Sequence, residues 1–588
     1  MNVIAPKSPS PEAAATAWLS AFGAALERQD AGAIAALFLP DGHWRDLLAF
    51  GWDIETTSGA PAIAARLGRA LPAIRPHSLR LAPGRTPPHP ATRVGRQVVE
   101  VFLAFETALG RAEGVARLVP EEGGPGGLRC WILLTALQEL RGHADITHRQ
   151  RASEKDYSRD FGGPNWADKR AAARAYADHD PAVIVVGCGQ AGLGIAARLG
   201  ALGVDTLVID REERIGDNWR RRYHSLTLHN EVHVNHMPFM PFPPTWPVFI
   251  PKDMLANWFE AYAEALELNV WTGTELSAGR WDEAAGCWEV TLRRADGGTR
   301  VMRPRHLVFA TGVSGIPIMP RLPGLEDFKG TVLHSGAYTD GTAWKGKAAI
   351  VLGTGNSGHD VAQDLHASGA RVTMIQRSPT HIVSVQEAQR VYATYAEGMP
   401  TADCDLLATA MPYPELKRAY RMMTATSKEI DRPLLERLAA RGFRLSDGIE
   451  GCGFQMLYLE RGGGYYFNVG CSDLVASGEI GLVQVDEVDR FVAEGLRLRD
   501  GRVVPAELLV MATGYKNQQE VVRAVLGDGI ADRIGPVWGF DAGGELRNMW
   551  RPTPQPGLWF TAGSLAQCRI YSHYLALQIK AREVGLVG

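Results

Sequence analysis

Residues 182–200 read AVIVVGCGQAGLGIAARLG. A run of branched apolar residues meets three spaced glycines, Gly187, Gly189 and Gly192, and continues into small residues. This is the pattern of a buried strand, a tight turn and a closely packed helix. The first glycine permits the turn, the second lets backbone approach a pyrophosphate, and the third lets the helix pack on the strand. Gln190 and Ala191 complete the phosphate-facing turn. The next strand, DTLVID, ends at Asp210, followed by Arg211. A carboxylate there can accept hydrogen bonds from both ribose hydroxyls of an adenosine and would repel a 2′-phosphate. The stretch predicts an α/β fold holding a dinucleotide without that phosphate.

The unit recurs at AAIVLGTGNSGHDVAQDL, residues 348–365, with Gly353, Gly355 and Gly358 around Asn356 and Ser357. Its following strand, RVTMIQRS, ends on Gln376 and Arg377, not on an acid. A guanidinium can bind a 2′-phosphate, so this cradle is expected to take NADPH, unless Arg377 is only a solvated strand-end charge. Two unlike sites in one chain suggest an electron relay from NADPH to FAD. Two more strand-like runs, HLVFATG and ELLVMATGY, close on Thr311-Gly312 and Thr513-Gly514. Small residues suit chain that passes beside a cofactor.

Between the cradles lies DFKGTVLHSGAY, residues 327–338. With Phe328, Gly330, His334 and Tyr338 it resembles the fingerprint of the flavin-containing monooxygenases, within the class B flavin-dependent monooxygenases. GDNWRRRYHSLTLHN, with Gly216, Trp219 and Tyr223, resembles that family's second FAD contact region, which implies Asn218 and Trp219 beside the cofactor. The resemblance covers roughly residues 180 to 580. It implies two Rossmann-like domains, the FAD domain split by the NADPH domain: 181–335 FAD, 336–500 NADPH with a helical insertion, and 501–588 returning to the flavin with Gly563 beside it. It implies an NADPH- and dioxygen-dependent FAD monooxygenase acting through a flavin C4a-hydroperoxide. Tyr338, where Baeyer–Villiger relatives carry Trp, leans toward oxygenation at nitrogen or sulfur. Baeyer–Villiger or decarboxylating chemistry of the plant YUCCA type, or a flavin-bearing sensor without turnover, are the alternatives. The family's peroxide-stabilising Asn corresponds by ungapped counting to His229, with Asn230 one position on. His334 is either a catalytic residue or a satisfied histidine bridging the two domains. The proline-rich 235–255 is either a substrate-side wall or packing.

Residues 1–145 read as a separate α+β domain. AWLSAFGAALERQDAGAIAALF is helical, and QVVEVFLAFETAL and LRCWILLTALQEL are strand-like runs joined across EEGGPGG. With LFLPDGHWRDLLAF between, the block resembles the nuclear-transport-factor-two-like or SnoaL-like cone. His43 and Asp46 either line its pocket or cap the domain. A polar linker, 146–180, follows, and the block is expected to be a separable accessory domain.

The bulk numbers bound the reading. A chain of 588 residues exceeds one core. A net charge of −3 without a basic run argues against nucleic acid or an anionic membrane as partner. No signal peptide or bilayer-length apolar run is visible. Seven scattered cysteines without Cys-x-x-Cys suggest reduced thiols, no metal site and no redox disulfide. The expectation is a cytoplasmic enzyme with a small-molecule substrate, its homo-oligomeric state left open.

Overall fold

The computed structural model describes residues 10–147, 157, 161–396 and 398–587. Of the expected linker, 148–156 and 158–160 lie outside the described residues.

The N-terminal block folds as helices on one sheet. Trp18, Phe22 and Leu26 recur on one face of helix Pro11–Glu27 and are buried. The sheet has seven strands between Phe38 and Leu140. Its centre is antiparallel, Arg96–Glu106 with Gly110–Pro120 with Leu128–Leu140. The two long apolar runs are thus not neighbours in the chain. A third strand, GRAEGVARLVP, stands between them, and EEGGPGG joins this strand to the last one. Its glycines and alanines hide its strand character. At Gly114 a Cβ would lie 2.1 Å from the Leu134 carbonyl oxygen, so small residues are what let it pair there.

Two parallel sheets follow on one plan. The first runs Asn269–Trp271, Thr206–Ile209, Val183–Val186, His306–Phe309, Leu558–Phe560. The second runs Thr331–His334, Leu508–Met511, Ala348–Leu352, Arg371–Gln376, Gly481–Gln484. The inner strands Thr206–Ile209, His306–Phe309, Ala348–Leu352 and Leu508–Met511 are buried on both faces, hence their continuous apolar character. The second sheet thus opens at Thr331 and closes at Met511, beyond both ends of the expected 336–500. ELLVMATGY is one of its inner strands, parallel to Ala348–Leu352, and the return to the first sheet is made by Leu558–Phe560 and helix Leu565–Glu583. The helical insertion contains Thr401–Thr409, Tyr413–Ala440 and Gly453–Arg461. Among the described residues no helix is long and apolar enough to cross a membrane.

The N-terminal sheet is docked on this body through buried charge. Arg45 forks onto Glu545 at 2.9 and 2.7 Å and donates to the Thr409 carbonyl at 2.6 Å. Arg85 pairs with Asp403 at 2.8 Å, and Arg117 donates to the Leu407 carbonyl at 3.0 Å. Removing one partner of such a pair strands a buried charge, at a cost of about 3–5 kcal/mol. The block is therefore docked on the body through buried ion pairs and carbonyl contacts.

Candidate active site and cofactor cradles

In the first cradle the glycines are required by contact. Gly187 has φ +110°, and a Cβ on it would lie 2.6 Å from the Ala310 carbonyl oxygen. At Gly192 a Cβ would lie 1.8 Å from the Gly187 oxygen. Helix Gln190–Ala201 can pack on its strand only because both side chains are missing. The Asp210 carboxylate accepts from Cys188 N–H at 2.7 Å and Glu212 N–H at 2.9 Å, which pins it beside the loop. Gln190 donates to the Gly563 carbonyl at 3.2 Å and accepts from the Trp219 indole at 3.3 Å. The Asn218 amide nitrogen stands 2.9 Å from where a Gly189 Cβ would be. Thr311 Oγ1 is buried without a hydrogen-bond partner. Such an orphan, next to the glycine turn, is a group that a bound ligand satisfies. Gly312 turns away at φ +70°, and Arg211 is an exposed strand-end charge beside Glu212. These residues fit a dinucleotide.

The second cradle repeats the geometry. A Cβ on Gly353 would lie 2.4 Å from the Ala512 oxygen, and one on Gly358 2.1 Å from the Gly353 oxygen. Gly355 faces open space, its nearest neighbour being the Tyr465 oxygen at 3.6 Å, which leaves room for a phosphate. Asn356 begins the helix and accepts from Phe467 N–H at 3.0 Å, with Ser357 next on the same turn. Arg377 is exposed and has no hydrogen bond or ion pair among the described residues. Its neighbour Gln376 is turned inward, bonded to the Arg444 backbone and Gln484.

The stretch between the cradles is a clasp on this second sheet. Phe328 packs on Phe491, and Gly330 is so close that a Cβ would lie 2.3 Å from the Phe328 ring. His334 accepts from Gly336 N–H on Nδ1 at 3.0 Å, which leaves Nε2 to donate to the Gly514 carbonyl at 3.1 Å. Burial lowers its pKa, in keeping with a neutral ring. Both ring nitrogens are thus hydrogen-bonded to backbone, at Gly336 and Gly514. Thr513 is likewise spent, donating to the Ile318 carbonyl at 2.6 Å. Tyr338 is buried and donates to Asp364 at 2.6 Å.

His229 and Asn230 share strand Thr227–Glu231 and so point to opposite sides. His229 packs edge-on to Phe467, the residue that Asn356 holds, and desolvation lowers its pKa. Asn230 donates to the Tyr392 hydroxyl at 3.1 Å. Tyr392 lines a cavity of about 440 Å³, a size that suits a small organic molecule. Ser564 and Gln567 also line it, at the start of the helix whose preceding residue, Gly563, is tied to Gln190. The cavity therefore abuts the first cradle. Of the proline-rich segment, residues 235–255, none lines it. Phe242 instead stacks on Trp246 at 4.7 Å.

The N-terminal sheet lines the cavity too, with Arg45, Val94 and Arg117. His43 and Asp46 do not. His43 bonds Ser58 at 2.8 Å, and Asp46 accepts from Thr135 at 2.5 Å deep in the sheet. Sequence reasoning passed over Arg45 between them, because the position that faces the body depends on docking and leaves no local signal.

Residues 184–397 match the family model of the pyridine nucleotide-disulphide oxidoreductases. Indole-3-pyruvate monooxygenase YUCCA1 of Oryza sativa subsp. japonica is 29% identical over 340 residues, 57% of this chain and 77% of the relative. Probable indole-3-pyruvate monooxygenase YUCCA10 of Arabidopsis thaliana is 31% identical over 231 residues, 39% of this chain and 60% of its own. Among solved structures, the flavin-containing monooxygenase from Stenotrophomonas maltophilia aligns with a TM-score of 0.47 at 19% identity, covering 69% of this chain and 99% of that one. Cyclohexanone monooxygenase from Rhodococcus sp. Phi1 bound to NADP+ aligns with a TM-score of 0.47 at 18% identity, covering 69% and 84%. By its sequence relatives, this chain is an oxidoreductase related to the flavin-dependent monooxygenases.

Proposed function

We propose that the chain is an NADPH- and dioxygen-dependent FAD monooxygenase that oxygenates a small, largely apolar organic substrate. FAD, reduced by NADPH, supplies the electrons that activate dioxygen. Asp210 and the first glycine turn hold the FAD adenosine and pyrophosphate, and Arg377 with the second turn selects NADPH. The 440 Å³ cavity holds the substrate, and its apolar walls keep water from the reacting atoms. Asn230, on the cavity side of its strand, presents its amide at the wall beside Tyr392. The observation that carries the reading is the hydrogen-bonded tie from Gln190 to Gly563 at the cavity's edge, which brings substrate space against the first cradle.

Tyr338, the one residue that leans toward oxygenation at nitrogen or sulfur, is bonded to Asp364 and does not line the cavity. A carbonyl substrate is the second reading. The relatives named indole-3-pyruvate monooxygenases favour it. The test is stoichiometry over a panel of amines, sulfides, ketones and 2-oxo acids. At least one compound should draw one dioxygen and yield one oxygenated product per NADPH. If NADPH use ignores every compound and all oxygen is recovered as hydrogen peroxide, the reading fails.

A further inference from the structure

Several hydroxyl donors in the cavity wall have protons that the protein does not use. Tyr571 accepts from Arg45 Nη1 at 3.1 Å, so its own hydroxyl proton remains to be given. Tyr392 accepts from Asn230, and its proton is likewise unspent. Tyr420 is buried, lines the cavity, and has no hydrogen bond to its hydroxyl among the described residues. Arg117 has one nitrogen facing only the Met411 thioether, a weak acceptor. On the acceptor side, the one carboxylate in the wall is Glu545, already held by both forks of Arg45 and by Thr56 at 2.8 Å, and one amide oxygen, Gln455 Oε1, is buried without a partner. A phenol hydroxyl whose proton has no acceptor in the protein is free to give it to a ligand that brings one.

We propose that the N-terminal sheet forms a wall of the substrate cavity, and that Arg45, Tyr571 and Tyr420 make a donor subsite for a carbonyl or carboxylate oxygen on an otherwise apolar, ring-bearing substrate. Each member comes from a different part of the chain: the N-terminal sheet, the C-terminal helix and the insertion. Arg45 acts by holding Tyr571. Its two forks are fixed on Glu545, and its remaining nitrogen donates to the phenol oxygen, which makes the phenol a better donor in turn. Trp550 stacks on Tyr571 at 4.4 Å and 14°, so the ring cannot swing away, and offers a flat face to an apolar body. This proposal rests on the cavity being the substrate site, as read above.

The test is binding, which needs neither NADPH nor dioxygen and can fail while the oxygenase reading stands. Naphthalene-2-carboxylate, 2-acetylnaphthalene and 2-ethylnaphthalene are titrated into the full-length flavin-loaded protein by calorimetry. The two oxygen-bearing probes should bind more tightly than the hydrocarbon. Tyr571→Phe and Tyr420→Phe should each weaken them by about 3- to 10-fold, the loss of one hydrogen bond, and leave the hydrocarbon unchanged. Val94→Trp, in the N-terminal wall, should abolish binding of all three with flavin content retained. Equal affinity of the three probes in the wild type overturns the proposal, as does no binding of any. So do equal losses for all probes in the Phe variants, or undiminished binding in Val94→Trp.

Discussion

Arg377 is the residue proposed to choose the nucleotide. It stands one residue past Gln376, which takes the place that Asp210 has in the first cradle, and it is exposed and without a partner among the described residues, so its charge is available to a 2′-phosphate. A hydrogen bond to a charged group contributes about 1.5–3 kcal/mol. Arg377→Ala should therefore weaken NADPH by about 10- to 100-fold and leave NADH nearly unchanged, with flavin content constant. Flavin reduction rate against concentration of each nucleotide measures this, and an equal loss for both would make Arg377 structural. At this scale the sequence was legible where a residue's role is fixed by its neighbours in the chain. Gly192 and Gly358 are forced by a carbonyl five residues back, and their spacing alone revealed them. Arg45 and Tyr571, 526 positions apart, meet only after docking, and no local pattern marks them.

At the scale of elements, one strand separates two candidates that the chain could not. His229 and Asn230 are adjacent, and alternation sends the first toward the second cradle and the second toward the cavity. Asn230→Ala should raise the hydrogen peroxide released per NADPH several-fold with little change in flavin reduction. His229→Ala should act first on reduction by NADPH, through Phe467 and Asn356. Stopped-flow reduction and peroxide yield separate the two, and a leak from His229→Ala alone would reverse the assignment. The clasp Phe328–Tyr338 was visible as a motif, but its use was not. His334 reads as catalytic or bridging, and its ring is bonded to the backbone of Gly336 and Gly514. The strand missed between the two apolar runs, GRAEGVARLVP, shows the same limit, since its pairing depends on partners outside the window.

The whole molecule couples three sheets through buried groups, and acid should expose that. Burial pulls His359 to about 4 and His573 to about 3, and the Nε2 of each is buried without a partner. Their folded values lie below the ordinary 6.5, so the unfolded chain takes up protons first. The stability they contribute is full above pH 6.5 and is lost as pH falls toward 4, at about 1.4 kcal/mol per pH unit for each. Asp46, pushed up to about 6 by burial, opposes one of them below pH 6. The melting temperature should drop between pH 7 and pH 5, and a flat or rising profile would contradict the neutral burial of these rings.

The central claim is that the two cradles and the cavity work together, passing electrons from NADPH to dioxygen and oxygen to a bound organic molecule. Turnover under heavy-isotope dioxygen over the substrate panel tests it most directly. The account predicts one labelled oxygen atom in the product for each NADPH oxidised, with the second atom in water. Products that carry oxygen only from water, or NADPH oxidation that returns all the label as hydrogen peroxide for every compound, would contradict it.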